Sequence, residues 1–136
     1  MPPQMHAVTR CLGNDRFAKQ CGIELVSVEP GRACARLRIT PEHLNGVGIV
    51  QGGAIFTLAD FAFAAASNSH GTVAVAINVS ISFLKATSSG VLVAEAKETS
   101  RNPKLGTYAV DVRDESGELV AAFQGMVYRK KDPLPV

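Results

Sequence analysis

From Gly53 to Asn68 the chain reads GAIFTLADFAFAAASN, a helix-length run whose apolar and small residues fall on every side, with Asp60 as its one charge. A helix that is apolar all round has to be wrapped by other elements. The wrapping follows in the sequence. Beyond the helix the hydrophobic period switches to two, and segments 73–84 (VAVAINVSISFL), 91–100 (VLVAEAKETS), 106–113 (GTYAVDVR) and 118–129 (ELVAAFQGMVYR) read as strands. Thr87-Ser88-Ser89-Gly90, Asn102-Pro103 and Asp114-Glu115-Ser116-Gly117 mark the turns between them. Such short intervals make hairpins and leave no room for crossover helices, so the strands pair antiparallel.

Upstream, residues 32–39 (RACARLRI) alternate, with Ala33, Ala35, Leu37 and Ile39 on one face and Arg32, Cys34, Arg36 and Arg38 on the other. Residues 14–21 predict a short helix capped by Asn14 and stopped at Gly22. Between strand and central helix lies a loop punctuated by Pro41, Gly46, Gly48, Gly52 and Gly53. The expected architecture is α+β: one curved antiparallel sheet of five or six strands around one long helix. It forms a single domain over residues 1–136, with its core at about 20–130, a length that builds a core without disulfide or metal staples. A lone sheet-and-helix layer leaves one flank of the helix open, which predicts a symmetric dimer.

Composition narrows the function. A net charge of +2 lacks the basic excess of a nucleic-acid binder. The three cysteines, Cys11, Cys21 and Cys34, have no CxxC spacing, and Cys34 reads as a reduced structural thiol. The first ten residues carry no apolar signal region, and no charge-free apolar run reaches membrane-spanning length, so a soluble cytoplasmic protein without membrane contact is expected. No histidine–carboxylate set has a ligand spacing, so no metal is expected. No G-x-S-x-G, G-x-x-x-x-G-K-[ST] or G-x-G-x-x-G motif is present, which argues against a serine triad and a nucleotide loop.

A lone carboxylate in an apolar helix is paired, neutralised or used. Gly52 and Gly53 leave the first N–H groups of the helix unobstructed, at the positive end of its dipole, where an oxyanion is stabilised. Asp60 supplies the complementary function, a general base or a nucleophile. Eight helical residues span ~12 Å, too far for one reacting carbonyl to meet both groups of a single chain. Two helices packed antiparallel across a two-fold axis bring Gly52 of one chain to Asp60 of the other, a second argument for the dimer.

The stretch HLNGVGIVQGGAIFTLAD resembles the signature of hotdog-fold acyl-CoA thioesterases of the phenylacetate-degradation type, roughly H-x-N-x-x-G-x-x-H-G-G-x-x-x-x-L-x-D. His43, Asn45, Gly48, Gly52, Gly53, Leu58 and Asp60 stand in register with it. FLKATSSG and the late GELVAAFQG segment extend the likeness. The resemblance implies a hotdog fold and hydrolysis of an acyl- or aryl-CoA, phenylacetyl- or hydroxybenzoyl-CoA among them, to free acid and CoA. It implies no cofactor, coenzyme A being part of the substrate, and a homodimer at minimum, with dimers pairing into a homotetramer. Asp60 matches the catalytic carboxylate, Gly52 the glycine whose N–H polarises the carbonyl, and Asn45 the loop residue that orients carbonyl or water. The usual H-G-G departs to Gln51-Gly52-Gly53. Glutamine donates a hydrogen bond but shuttles no proton, so Gln51 keeps a positioning role and the proton chemistry falls to Asp60.

His43 is a further candidate beside Asn45, whereas His6 and His70 read as surface residues. Asn78, Ser80 and Ser82 alternate along one strand face and are candidates to line the acyl or pantetheine channel. The phosphates of coenzyme A call for cations at the entrance, and Lys85, Arg101 and Lys104 flank turns. The placement of Phe56, Phe61, Phe63 and Phe83 sets pocket depth. Two rival readings exist. A hotdog hydratase or dehydratase would use a histidine where Gln51 stands, and a non-catalytic acyl-CoA-binding module would hold the thioester intact.

Overall fold

The computed structural model describes residues 3–135. These form an antiparallel sheet of six strands, β1 (Ile23–Glu29), β2 (Arg32–Arg38), β3 (Thr72–Phe83), β4 (Val91–Arg101), β5 (Leu105–Arg113) and β6 (Leu119–Pro133), in the order β1-β2-β4-β5-β6-β3. Helix α3 (Gly52–Asn68) lies across one face and touches all six strands. Alternation decides which residues meet it. Ala33, Ala35 and Leu37 of β2, Leu92, Ala94 and Ala96 of β4, and Val110 and Val112 of β5 are buried, while Arg32, Arg36, Arg38 and Lys97 point outward. The alanines let the helix approach, and Phe63 fills the gap over Gly125 with its ring against Tyr108 and Phe123.

Three features of the N-terminal third differ from the expectation. Residues Pro3–Gly13 form helix α1, which buries Met5, Val8 and Leu12 at helical spacing. Strand β1 carries no clean alternation in the sequence because a bulge between Leu25 and Ser27 turns Val26 outward. The short helix α2 (Arg16–Cys21) is capped by Asp15, not Asn14: Asp15 Oδ1 accepts the Ala18 N–H at 2.9 Å, while the Asn14 N–H is spent on the Cys11 carbonyl at the end of α1. Gly22 ends α2 as expected. Helix α3 starts one residue early, at Gly52, with Gln51 as its cap.

The chain leaves one side uncovered. Gly53, Thr57, Asp60, Ala64 and Asn68, spaced three to four residues apart, form the less buried stripe of α3. Beside the C-terminal end of this stripe runs β3, tied by the Ala74 N–H to Asn68 Oδ1 at 2.9 Å. Strand β3 is the long outer strand of the sheet, with Val75 and Ile77 about half exposed. The open flank of the helix and the unpaired edge of β3 therefore lie on the same side.

Candidate active site

The loop ahead of α3 is fixed by its own side chains. Thr40 opens a single 3-10 turn (Pro41–His43), and His43 holds it: Nδ1 accepts the Thr40 N–H at 2.9 Å and Nε2 lies 2.6 Å from the Cys21 carbonyl. The Thr40 N–H can only donate, so Nδ1 is the acceptor and the proton sits on Nε2. Both ring nitrogens are thus engaged with backbone, and His43 ties the loop to the end of α2. Asn45 Oδ1 accepts the N–H groups of Val47 (3.0 Å) and Ile49 (3.3 Å). Its Nδ2 has no acceptor among the described residues. The Val50 N–H donates to the Thr87 carbonyl at 2.8 Å, which pins the loop against the segment after β3.

This pinning creates a cleft of about 370 Å³ in which Asn45, Gly52, Phe83, Lys85 and Thr87 meet. Phe83 lies so close over Gly52 that a Cβ there would stand 3.1 Å from its Cζ. Gln51 Oε1 accepts the Gly53 N–H. The Gly52 N–H, in the first turn where no intrahelical acceptor exists, remains without a partner among the described residues. Of the two glycine donors, then, one is consumed by the cap and one is available for an oxyanion.

Asp60 stands two turns further on, in the open stripe of α3. Among the described residues it has no hydrogen-bond or ion-pair partner. Burial pushes its carboxyl above the ordinary aspartate value, and the Asp15 carboxylate adds to the shift. Nothing in the sequence pairs Asp15 with Asp60; the hairpin of α1 and α2 brings it there.

Other predicted residues lie elsewhere in the chain. Asn78 and Ser82 share the outer face of the sheet, since Ile81 between them pairs with buried Phe123 on the inner face. Asn78 and Ser80 border a groove with Thr99, Thr107 and Gln124, away from the Gly52 cleft. Lys85 does reach that cleft, but its Nζ is bound to Asp114 Oδ2 (2.5 Å) and Glu118 Oε1 (3.2 Å). Arg101 lies at the far end of β4, beside Arg129. His70 is no surface residue: its Nε2 contacts Glu98 Oε1 at 2.8 Å, where Tyr108 also donates. No three His, Cys, Asp or Glu side chains cluster to hold a metal among the described residues, and no helix there is long and apolar enough to cross a membrane.

Residues 47–121 match the family model described as Thioesterase superfamily. The chain belongs to that superfamily. The acyl-coenzyme A thioesterase PaaI of Escherichia coli is 37% identical over 85% of this chain and 84% of its own length. The solved structure of E. coli PaaI superposes with a TM-score of 0.90 at 32% identity, covering 96% of this chain and 99% of that one. A mutant of the phenylacetic acid degradation protein PaaI from Thermus thermophilus gives 0.82 at 34% identity, covering 85% of this chain and 100% of that one. The fold is accordingly the hotdog fold, and the enzyme is a thioester hydrolase of the PaaI type. The match begins inside the Asn45–Gly53 loop and takes in the whole of α3, so this thioesterase carries its two candidate chemical groups within the family segment.

Proposed function

We propose that this thioesterase hydrolyses acyl-CoA, aryl-CoA included, to free acid and CoA, at a site shared by two chains. The observation that carries the reading is the pairing, on one apolar helix, of an unpartnered carboxylate at Asp60 with an unpartnered N–H at Gly52, too far apart to serve one carbonyl within a chain. Two helices packed antiparallel along their open stripes supply both groups to each of two sites. The thioester carbonyl then accepts the Gly52 N–H, with Asn45 Nδ2 and Gln51 Nε2 as further donors that orient it. Asp60 of the other chain takes the proton of a water as that water attacks the carbonyl carbon. Collapse of the tetrahedral oxyanion breaks the C–S bond, and the departing thiolate recovers the proton from Asp60. In the alternative route the Asp60 carboxylate attacks directly and water opens the resulting anhydride.

The E. coli relative, named as an acyl-coenzyme A thioesterase, supports the substrate class. A homodimer is the minimum this arrangement requires, and two such dimers make the expected homotetramer. The test is thiol release from short, medium, long, phenylacetyl and hydroxybenzoyl CoA thioesters by wild type and Asp60→Asn. Turnover that falls by about 10²–10⁴ in a folded variant supports the role of Asp60; equal turnover in both removes it. Turnover in heavy-oxygen water separates the two routes, because only a nucleophilic Asp60 acquires label.

A further inference from the structure

At the end of the sheet opposite the Gly52 cleft, Arg101, Arg129, Lys130 and Lys131 line one depression with Thr72, Asn102 and Pro103. The fold builds this cluster out of three segments. Arg129 Nη1 donates to the Asn102 carbonyl at 2.8 Å and its N–H to the Lys104 carbonyl at 2.7 Å, which locks the β4–β5 turn onto β6. The β3–β6 register slips between Thr72 and Ala74, so that Lys130, Lys131 and Asp132 stand opposite Val73 alone. Four cations drawn together repel one another. Their acidic neighbours offset little of this, because Glu98 reaches Arg101 only at 3.8 Å and Asp132 reaches Lys130 only at 3.9 Å. The charge is suited to an anion of several charges, with Thr72 and Asn102 as neutral donors.

Within one chain this cluster is far from the cleft, since Thr72 and Phe83 are the two ends of β3 and eleven residues of strand span about 36 Å. The dimer reverses that relationship. When two β3 edges pair antiparallel about a two-fold axis at Ile77, Thr72 of one chain falls opposite Ser82 of the other, next to Phe83, whose ring lies on Gly52. The cluster then borders the partner's cleft, on the same chain that contributes Asp60. We propose that Arg101, Arg129, Lys130 and Lys131 hold the phosphate groups of a CoA thioester whose carbonyl is bound at Gly52 of the partner, making the enzyme selective for the nucleotide-bearing thioester. The inference builds on the acyl-CoA reading above. It also replaces Lys85, whose charge Asp114 and Glu118 already neutralise.

The experiment compares one acyl group carried on CoA, on dephospho-CoA and on pantetheine, with wild type and Lys130→Ala/Lys131→Ala. Both lysines are exposed, and Arg129, which holds the turn, is left in place. In the variant the kcat/KM ratio of acyl-CoA over acyl-pantetheine falls about tenfold or more, through KM. A loss already seen with the dephospho form assigns the lysines to the diphosphate; a loss seen only with CoA assigns them to the 3′-phosphate. A ratio that does not move, in a wild type that hydrolyses all three, overturns the inference alone. A wild type that hydrolyses none overturns the acyl-CoA reading and the inference with it. With the same acyl group on a carrier protein as a fourth substrate, a variant impaired only there assigns the face to an acidic protein and likewise overturns it. The pairing is tested in a heterodimer of an Asp60→Asn chain with a doubly substituted chain, purified through two tags. Every site then lacks its carboxylate or its lysines and KM stays raised. A wild-type KM would put the lysines on the chain that supplies Gly52.

Discussion

Gln51 Oε1 accepts the Gly53 N–H, and this one bond leaves Gly52 as the open donor at the start of α3. The glutamine therefore does two things that substitution separates. Gln51→Ala removes the cap and costs about 1 kcal/mol of stability together with catalytic efficiency. Gln51→Glu keeps an acceptor for Gly53 and places a negative charge at the positive end of the helix, so its thermal midpoint holds or rises. It has lost the amide donor, and kcat/KM falls. A Gln51→Glu enzyme of wild-type activity would mean that the cap is the whole contribution of this side chain.

Asp60 makes activity and stability respond to pH in opposite senses. Its folded pKa is raised by burial first and by Asp15 second. The ionised form does the chemistry, so the acid limb of kcat/KM lies above the ordinary aspartate value of about 3.9. In the window between that value and the raised one, the folded chain holds a proton the unfolded chain has released. The stability it contributes is full below about 3.9 and is lost as pH rises through the folded pKa. Asp60→Asn accordingly melts higher than wild type at pH 7 while losing turnover. Asp15→Asn retains the cap on Ala18 and moves the acid limb down. A pH–rate profile identical to wild type in Asp15→Asn would exclude the coupling.

The central helix, the period-two strands and the Gly52–Asp60 spacing are legible in the sequence because each is a local pattern of hydrophobicity or of residue type. Strand β1 is not, since a bulge at Val26 breaks the alternation on which reading a strand depends. Helix α1 escapes notice although Met5, Val8 and Leu12 carry its buried stripe; the residues between them are polar enough to hide it. For the site, spacing identifies the groups but not their partners. Nothing local says that His43 spends both nitrogens on backbone, that Lys85 is neutralised by Asp114 from a hairpin 29 residues away, or that Ser82 faces outward. The last two are settled by strand register, which is a property of the whole sheet, and the first by the packing of the loop on the end of α2.

Glu98 gives the second pH signature. Burial alone would raise its pKa, but hydrogen bonds from His70 and Tyr108, with the Arg101 guanidinium nearby, hold it below the usual glutamate value. A depressed carboxylate stabilises the fold fully above the unfolded value of about 4.3 and ceases to do so as pH falls through the folded one. Glu98→Gln therefore costs about 1–3 kcal/mol at pH 7, and the gap to wild type narrows below pH ~4. Urea melts at pH 7 and pH 3.5 measure both; a gap that persists undiminished in acid would assign the cost to packing.

Phe63 lies so close over Gly125 that a Cβ there would fall 2.6 Å from its Cζ. The glycine in the late GELVAAFQG segment is thus an imprint of that ring. Gly125→Ala destabilises by about 1–3 kcal/mol through overpacking. Adding Phe63→Leu recovers part of the loss, a non-additivity read from chemical denaturation of the two single variants and the double.

Ile77 tests the shared site from outside it. The residue sits at the β3 bulge, unpaired with β6 and about half exposed in a single chain, so Ile77→Lys places its charge in water and leaves the protomer's fold intact. On a strand edge that receives a second copy, the same lysine is set against its own symmetry mate and blocks pairing. Light scattering then reports a monomer. Because Gly52 and Asp60 of one chain cannot meet, thiol release falls by at least about 10²-fold, as it does when the base is removed. A monomeric Ile77→Lys protein that keeps wild-type turnover would show that one chain contains a complete site, and the two-chain arrangement would have to be abandoned.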